Sequence, residues 1–319
     1  MATLDLCVVR RRIVADDICS LELQAPDGRP LPAFAPGAHI DLHLSGDLVR
    51  QYSICSAPDQ LATYRIAVLR EPGSRGGSVA AHELVEGQVV RVSEPRNLFP
   101  LAEGASHHLL LAGGIGITPL LSMAQELHRR GASFDLHYCA RSPSRAAFVD
   151  EMVTQMPGRV HLHFDDGADG QRLRLPAVLD ASPPHTHLYA CGPGGFIDAM
   201  LGGARQVGWS ETRLHREYFA APGAPENAPA GERFEVQIAS TGKVIEVPAQ
   251  RSVVDALKAC GIEVPVSCEQ GICGTCVLRV LEGQPDHRDM FLTPQERDAN
   301  DRFTPCCSRS RTARLVLDL

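Results

Sequence analysis

Three cysteines within nine residues constrain this chain more than any other feature. Cys268, Cys273 and Cys276 stand in the spacing C-x4-C-x2-C, and Cys306 follows after twenty-nine residues. Thiolates are the soft ligands that iron–sulfur clusters require, and this spacing suits a 2Fe–2S cluster rather than the bacterial four-iron run. A structural zinc site uses two C-x2-C pairs or a Cys/His mixture, so the x4 gap with one distant partner fits zinc poorly. Gly271 and Gly274 let the loop turn tightly and aim backbone N–H groups at the sulfurs. Cys307 adjoins Cys306, and neighbours in an extended segment point to opposite sides. Cys306 is the expected fourth ligand, although spacing alone also admits Cys307.

The cysteines number eleven, an odd count. The opening MATLDLCVVRRRIV has no basic region followed by a long apolar stretch, so a secretory signal is not expected. Both points favour metal binding or free thiols over a disulfide framework. No run approaches the ~18 apolar residues of a membrane span, and a cytoplasmic location is the expectation. A net charge of −7 argues against a nucleic-acid partner, whose phosphates call for a basic surface.

A length of 319 residues suits two or three domains. From 1 to 102, runs rich in β-formers at 39–44, 51–55, 64–70 and 88–93 are punctuated by Gly and Pro, which suggests an antiparallel barrel or sandwich. From 103 to 221, apolar strands at 108–112, 134–139, 160–164 and 187–191 alternate with helical stretches. That rhythm implies a parallel sheet wound with helices. The run APGAPENAPAG has few groups able to pack and reads as an exposed linker at 222–231. Residues 232–319 then form the cysteine-bearing domain, with a hairpin around Thr241-Gly242 and a helix at 253–259.

Two glycine turns follow buried strands. Gly113-Gly114-Ile115-Gly116-Ile117-Thr118-Pro119 leads into an amphipathic helix closed by Gly131, a geometry in which bare backbone and a helix N-terminus receive a pyrophosphate. The second turn is Cys191-Gly192-Pro193-Gly194-Gly195. Together they resemble the paired GGxGxTP and CGP motifs of the ferredoxin–NADP reductase superfamily. The resemblance implies that Gly113, Gly114, Gly116, Thr118 and Pro119 cradle a pyridine nucleotide, and that Cys191, Gly192 and Pro193 lie beside its nicotinamide. Cys191 and Thr118 are the candidate catalytic residues of this set, with a positioning role preferred for Cys191. Arg50-Gln51-Tyr52-Ser53 resembles the superfamily's RxYS flavin motif; read without the family, it is a half-buried strand. Arg75-Gly76-Gly77-Ser78 resembles the turn that goes with FMN, and Pro95–Leu101 has the look of the FMN-containing branch. Arg50, Tyr52, Ser53, Gly76, Gly77 and Ser78 are therefore expected to bind FMN. Phe219, in Glu217-Tyr218-Phe219, is expected either to pack near the flavin or to be an ordinary core residue.

Residues 232–319 resemble the β-grasp ferredoxin. The full order is an antiparallel β-barrel flavin domain, an α/β nucleotide domain of the ferredoxin–NADP reductase type, and a C-terminal ferredoxin. It resembles the phthalate dioxygenase reductase family, and within it the vanillate O-demethylase reductases. This implies FMN, NADH and a 2Fe–2S cluster acting in series, and a separate Rieske-type non-haem iron oxygenase that takes electrons near the cluster. A cytochrome P450 or other monooxygenase as partner, or a non-enzymatic electron carrier, are the alternatives. Arg141 and Arg145 could meet a 2′-phosphate, with Asp165 and Asp166 ending the next strand; solvated loop charge is the plainer reading of all four.

Overall fold

A computed structural model of the chain describes residues 3–45, 48–74, 76–219 and 232–319. The chain divides into two compact units, residues 1–219 and 220–319. The linker expected at 222–231 lies outside the described residues, as does Arg75.

The first unit begins with strands β1 (Thr3–Ala15), β2 (Ile18–Gln24), β3 (Ala38–His43), β4 (Val49–Ser53) and β5 (Tyr64–Leu69). A short helix α1 (Gly77–His82) follows, then β6 (Val89–Ser93) and β7 (Arg96–Asn97). The strands run in the order β4-β3-β6-β1-β2-β5, with β7 beside β3, and every pairing is antiparallel. A bridge between Ile54 and Ile66 joins the two ends of this order. There the Cys55 N–H donates to the Arg65 carbonyl at 2.7 Å, so the two ends of the order meet and the sheet closes as a barrel. Alternation along the strands sends Leu6, Val8, Leu21, Leu23, Ile40, Leu42, Ile66 and Val68 into one buried core.

The second half of this unit contains β8 (His107–Gly113), α2 (Ile117–Arg129), β9 (Phe134–Ala140), α3 (Val149–Gln155) and β10 (Val160–Phe164). It continues with α4 (Leu175–Ala181), β11 (Thr186–Gly192), α5 (Gly194–Gln206) and β12 (Leu214–Tyr218). All five strands are parallel, in the order β10-β9-β8-β11-β12. The order reverses between β8 and β11, and ligand crevices of open α/β sheets form at the carboxyl ends of strands flanking such a reversal. Both glycine turns lie at those two ends. The edge strand β12, sequence LHREY, escaped the sequence reading because it lacks the apolar run of its neighbours.

Barrel and sheet are locked together. Ile18, Cys55, Ala67 and Phe99 share one apolar core with α2 and β9. Arg65 on β5 forms a two-pronged ion pair with Glu151 on α3, at 2.7 and 2.8 Å, and stacks over Phe148. Tyr189 on β11 accepts the Ala102 N–H at 2.8 Å through its hydroxyl. Gly37 has φ +87°, and a Cβ there would lie 2.1 Å from the Phe99 carbonyl oxygen, so only glycine lets these segments meet.

The second unit holds β13 (Phe234–Ile238), β14 (Val244–Val247), α6 (Val253–Ala259), β15 (Leu278–Glu282), β16 (Pro285–Asp286), α7 (Pro294–Ala299), β17 (Arg302–Phe303), β18 (Arg309–Ser310) and β19 (Arg314–Leu317). Its sheet runs β14-β13-β19-β15-β17, with β13 and β19 parallel at the centre, and β16 pairs with β18 beside it. Ser252 and Asp255 cap α6 reciprocally, and Val253, Ala256 and Leu257 pack on the sheet with Phe303 and Leu315. This is the β-grasp arrangement. Among the described residues, no helix is long and apolar enough to cross a membrane.

Candidate redox site

Parallel register sets Cys191 opposite Ala112, which makes the two glycine turns neighbours. They touch through backbone. A Cβ on Gly116 would lie 2.2 Å from the Cys191 carbonyl oxygen, and one on Gly192 would lie 2.9 Å from the Gly113 Cα. Gly113 is hemmed in by Phe196 and Pro193 at about 3 Å, whereas Gly114, with φ +55°, faces open space. These turns therefore need glycine for two reasons: close approach at Gly116 and Gly192, and left-handed backbone at Gly114. The Thr118 hydroxyl donates to the Ile115 carbonyl at 3.0 Å, which fixes the turn beneath the N-terminus of α2. Pro119 sits in the first turn of that helix, where a missing N–H costs nothing.

The two flavin-motif segments also come together. The Arg50 side chain on β4 packs against bare Gly77 at the start of α1, where a Cβ would meet it at 2.5 Å. Arg50 Nη1 donates to the Val49 carbonyl at 2.8 Å. Gly76 precedes the helix with φ +86°. The Ser78 hydroxyl accepts the Glu71 N–H at 3.1 Å and bonds Ser74 Oγ at 2.9 Å, so it closes its own loop. Tyr52 is half-buried on the barrel core.

A third convergence joins barrel and sheet and was missed by the sequence reading. Glu217 on β12 lies beside Cys191 in the register, and its carboxyl bonds the hydroxyl of Ser53 at the end of β4. Burial pushes this carboxyl up to about 8, against the opposing effect of the Ser53 bond. Its Oε2 is buried without a hydrogen-bond partner. Burial, and then the Glu217 charge, hold the Cys191 thiol well above its usual range. At neutral pH both groups keep their protons. An acidic residue at an inward position of a polar edge strand leaves no periodic signal, and only the folded register shows it. Phe219 is 37% exposed, which excludes the core-residue alternative. Arg145 pairs with Asp17 at 3.2 Å on the surface, and Arg141 is exposed.

In the second unit the cysteine loop runs from α6 to β15. Gly271 and Gly274 are both left-handed, at φ +72° and +67°, and a Cβ on Gly274 would enter the Phe291 ring. The Gln270 N–H points at Cys268 Sγ at 3.4 Å, and the Thr275 N–H at Cys273 Sγ at 3.5 Å. Cys268 lies within hydrogen-bonding reach of Cys273, and Cys306 within reach of both Cys276 and Cys307; none of the five is in a disulfide. The bond from Cys268 holds the Cys273 thiol below its usual range, against the opposing effect of burial. Thiols gathered by one loop, with N–H donors aimed at sulfur, are the donor chemistry of a two-iron cluster, which takes four thiolates in all. Cys306, through both its thiol and its backbone, is the residue that bonds Cys276, whereas Cys307 lies among Thr304, Ser308 and Gly271. The geometry thus favours Cys306 over its neighbour.

Fold and site define a flavin- and nucleotide-type reductase carrying a 2Fe–2S domain. Residues 236–311 match the family model of the 2Fe–2S iron–sulfur cluster binding domain. Residues 92–214 match that of the N-terminal domain of dimethylamine monooxygenase subunit DmmA-like proteins. A vanillate O-demethylase oxidoreductase of Pseudomonas sp. (strain HR199 / DSM 7063) is 55% identical over 318 residues, covering 99% of this chain and all of that protein. The chain belongs to this oxidoreductase family, the phthalate dioxygenase reductase type. The phthalate dioxygenase reductase structure, described as modular for electron transfer from pyridine nucleotides to [2Fe–2S], superposes with TM-score 0.78 at 38% identity, covering 100% of this chain and 98% of that one. An intact type IV self-sufficient cytochrome P450 monooxygenase superposes with TM-score 0.85 at 35% identity, covering 99% of this chain and 41% of that one.

Proposed function

We propose that this protein is the reductase component of a multicomponent oxygenase, carrying electrons from NADH through FMN and a 2Fe–2S cluster to a separate Rieske-type oxygenase of the vanillate O-demethylase kind. Residues 1–102 hold FMN, 103–221 hold NADH, and 232–319 hold the cluster. The observation that carries the reading is the junction of Ser53, Cys191 and Glu217, where the end of the flavin strand meets the nicotinamide-side turn. A flavin accepts two electrons as a hydride and passes them on singly, which suits it to stand between a nicotinamide and a one-electron cluster.

The protein's own part is placement. Gly113, Gly114, Gly116 and the start of α2, steadied by Thr118 and Pro119, receive the nucleotide pyrophosphate with backbone N–H groups. Cys191, Gly192 and Pro193 shape the nicotinamide wall; a buried, protonated thiol there packs rather than attacks. Arg50 and the backbone of Gly76 and Gly77 supply cation and N–H groups for the FMN phosphate, and Ser78 holds their loop shut. Tyr52 and Phe219 offer aromatic faces to the flavin ring, and Ser53 a hydroxyl to its edge. Glu217 keeps a proton at Ser53, within the buried junction. Cys268, Cys273, Cys276 and Cys306 bind the cluster. NADH over NADPH rests on the likeness to the family, and the ratio of kcat/KM for the two nucleotides tests it.

The whole reading is tested by reconstitution. Holo protein, NADH and a purified Rieske O-demethylase should together support oxygen uptake and demethylation of vanillate, with neither protein sufficient alone. The similarity to the P450 monooxygenase favours a second reading, a haem partner. NADH-driven turnover with a P450 and none with any Rieske oxygenase would replace the first reading with the second.

A further inference from the structure

At the amino ends of β8, β11 and β12, an open cleft of about 700 Å³ is lined by Pro184, His187, Ser210, Thr212 and Arg213 among others. The glycine turns lie at the other, carboxyl end of these strands, where open α/β sheets bind their ligands, so the nucleotide does not account for this cleft. Along β11, His187 and Cys191 are four residues apart, which is ~13 Å in a strand. The volume falls within the roughly 300–1,000 Å³ of small-molecule sites.

Among the described residues no carboxylate lines the cleft, and its polar side chains can all donate. Arg213 is half-buried, with its guanidinium 4.9 Å from the centre of the Trp209 ring. Glu211, two residues before it, is held by Arg205 at 2.5 and 3.0 Å, and among the described residues Arg213 has no ion pair. Ser210 Oγ and Thr212 Oγ1 lie 2.9 Å apart, so one proton serves their mutual bond and the other is left to donate outward. His187 Nδ1 meets His215 Nε2 at 2.9 Å, and His187 Nε2 has no partner among the described residues. An acceptor at Nε2 selects the tautomer in which His215 donates to His187. Burial, and then the Arg213 charge, lower the His187 pKa, so the guanidinium is the fixed charge of the cleft.

We propose that this cleft binds a ring-bearing organic anion, a carboxylate or a phosphate monoester, separately from the nucleotide. Arg213 offers a forked cation to the acidic group, and the Ser210–Thr212 pair offers a hydroxyl. The cleft has room for far more than an inorganic anion, and Pro184 and the His187 imidazole give the ring flat faces.

Trp209 is the chain's single tryptophan and lies under Arg213, so its emission reports on the site. Holo protein is titrated with benzoate, phenyl phosphate and inorganic phosphate. The ring-bearing anions should change the emission saturably, and the tighter of the two identifies the acidic group preferred. Arg213→Gln should raise the half-saturating concentration at least about tenfold, the loss of one charge-assisted bond. Thr212→Val should raise it by less, and it serves as the test if Arg213→Gln does not fold. Both variants should keep wild-type kcat/KM for NADH-dependent ferricyanide reduction. Absence of saturation with both ring-bearing anions, or half-saturation unchanged in both variants, overturns the inference. Inorganic phosphate binding as tightly as phenyl phosphate overturns it too, since the ring then contributes nothing. Displacement of the anion by saturating NAD+ would place it at the glycine turns instead and likewise overturn it.

Discussion

Gly116→Ala should damage the nucleotide site far more than its single methyl group implies. The new Cβ would lie 2.2 Å from the Cys191 oxygen, 2.3 Å from its carbon and 2.6 Å from the Gly192 nitrogen. All three are backbone atoms of the adjoining turn, so no rotamer change relieves the clash. Restoring ordinary contact requires the two turns to separate by more than 1 Å, since such contacts begin near 3.4 Å. Overpacking of this kind costs about 1–3 kcal/mol of stability. A displacement of ~1 Å at reacting groups costs on the order of 100-fold in rate. The assay is NADH-dependent ferricyanide reduction by the holo protein, with flavin content and melting temperature measured in parallel. We expect kcat/KM to fall by roughly 100-fold while bound flavin is largely kept, because the flavin strand β4 lies outside the clash. Gly131→Ala is the control: its glycine is left-handed at φ +64° with nothing within 4 Å, so it should lose about 1 kcal/mol and keep its kcat/KM. Wild-type kcat/KM in Gly116→Ala would refute the reasoning.

Three further outcomes follow from the geometry. Cys306→Ser should abolish the 2Fe–2S visible and EPR signals and leave NADH-to-ferricyanide electron flow nearly intact. Glu217 should impose a pH dependence on stability. Its carboxyl is raised from 4.5 to about 8 in the folded protein, so stability is full below about 4.5 and declines as pH climbs toward 8. Melting curves of Glu217→Gln across that window should be flatter than those of wild type; an identical slope would show that the carboxyl is not buried. Removing one arm of the Arg65–Glu151 clamp, whose side chains are only 18% and 24% exposed, should cost about 2 kcal/mol in Glu151→Ala. Urea unfolding measures that loss, and a change below about 0.5 kcal/mol would place the clamp among surface pairs.

Much of this architecture was legible because its signals are local. The glycine turns announce themselves by residue type, and the structure adds why: Gly116 and Gly192 face backbone, not ligand alone. The helix closed by Gly131 and the capped helix at Val253–Ala259 matched their sequence signals, since amphipathic spacing and capping residues act within one or two turns. Cys268, Cys273 and Cys276 stand out by their spacing alone, which leaves the fourth position between Cys306 and Cys307. What stayed hidden depends on pairing across the chain. The edge strand Leu214–Tyr218 has no apolar run, and Glu217 acquires its raised pKa only when β12 lies beside Cys191 and β4 ends at Ser53. Ser78 is expected from its motif to bind FMN, and its hydroxyl also bonds Glu71 and Ser74, which a short motif cannot reveal. The preference for Cys306 over Cys307 likewise emerges from the hydroxyls that surround the second thiol.

The central claim is that electrons enter at the nicotinamide turn and leave through the cysteine loop. Anaerobic rapid mixing of the holo protein with one equivalent of NADH tests it most directly, with absorbance and freeze-quench EPR followed together. The account predicts prompt bleaching of the flavin band, then growth of the reduced 2Fe–2S signal as the flavin band returns in part. A flavin that stays fully reduced beside an EPR-silent cluster would contradict it.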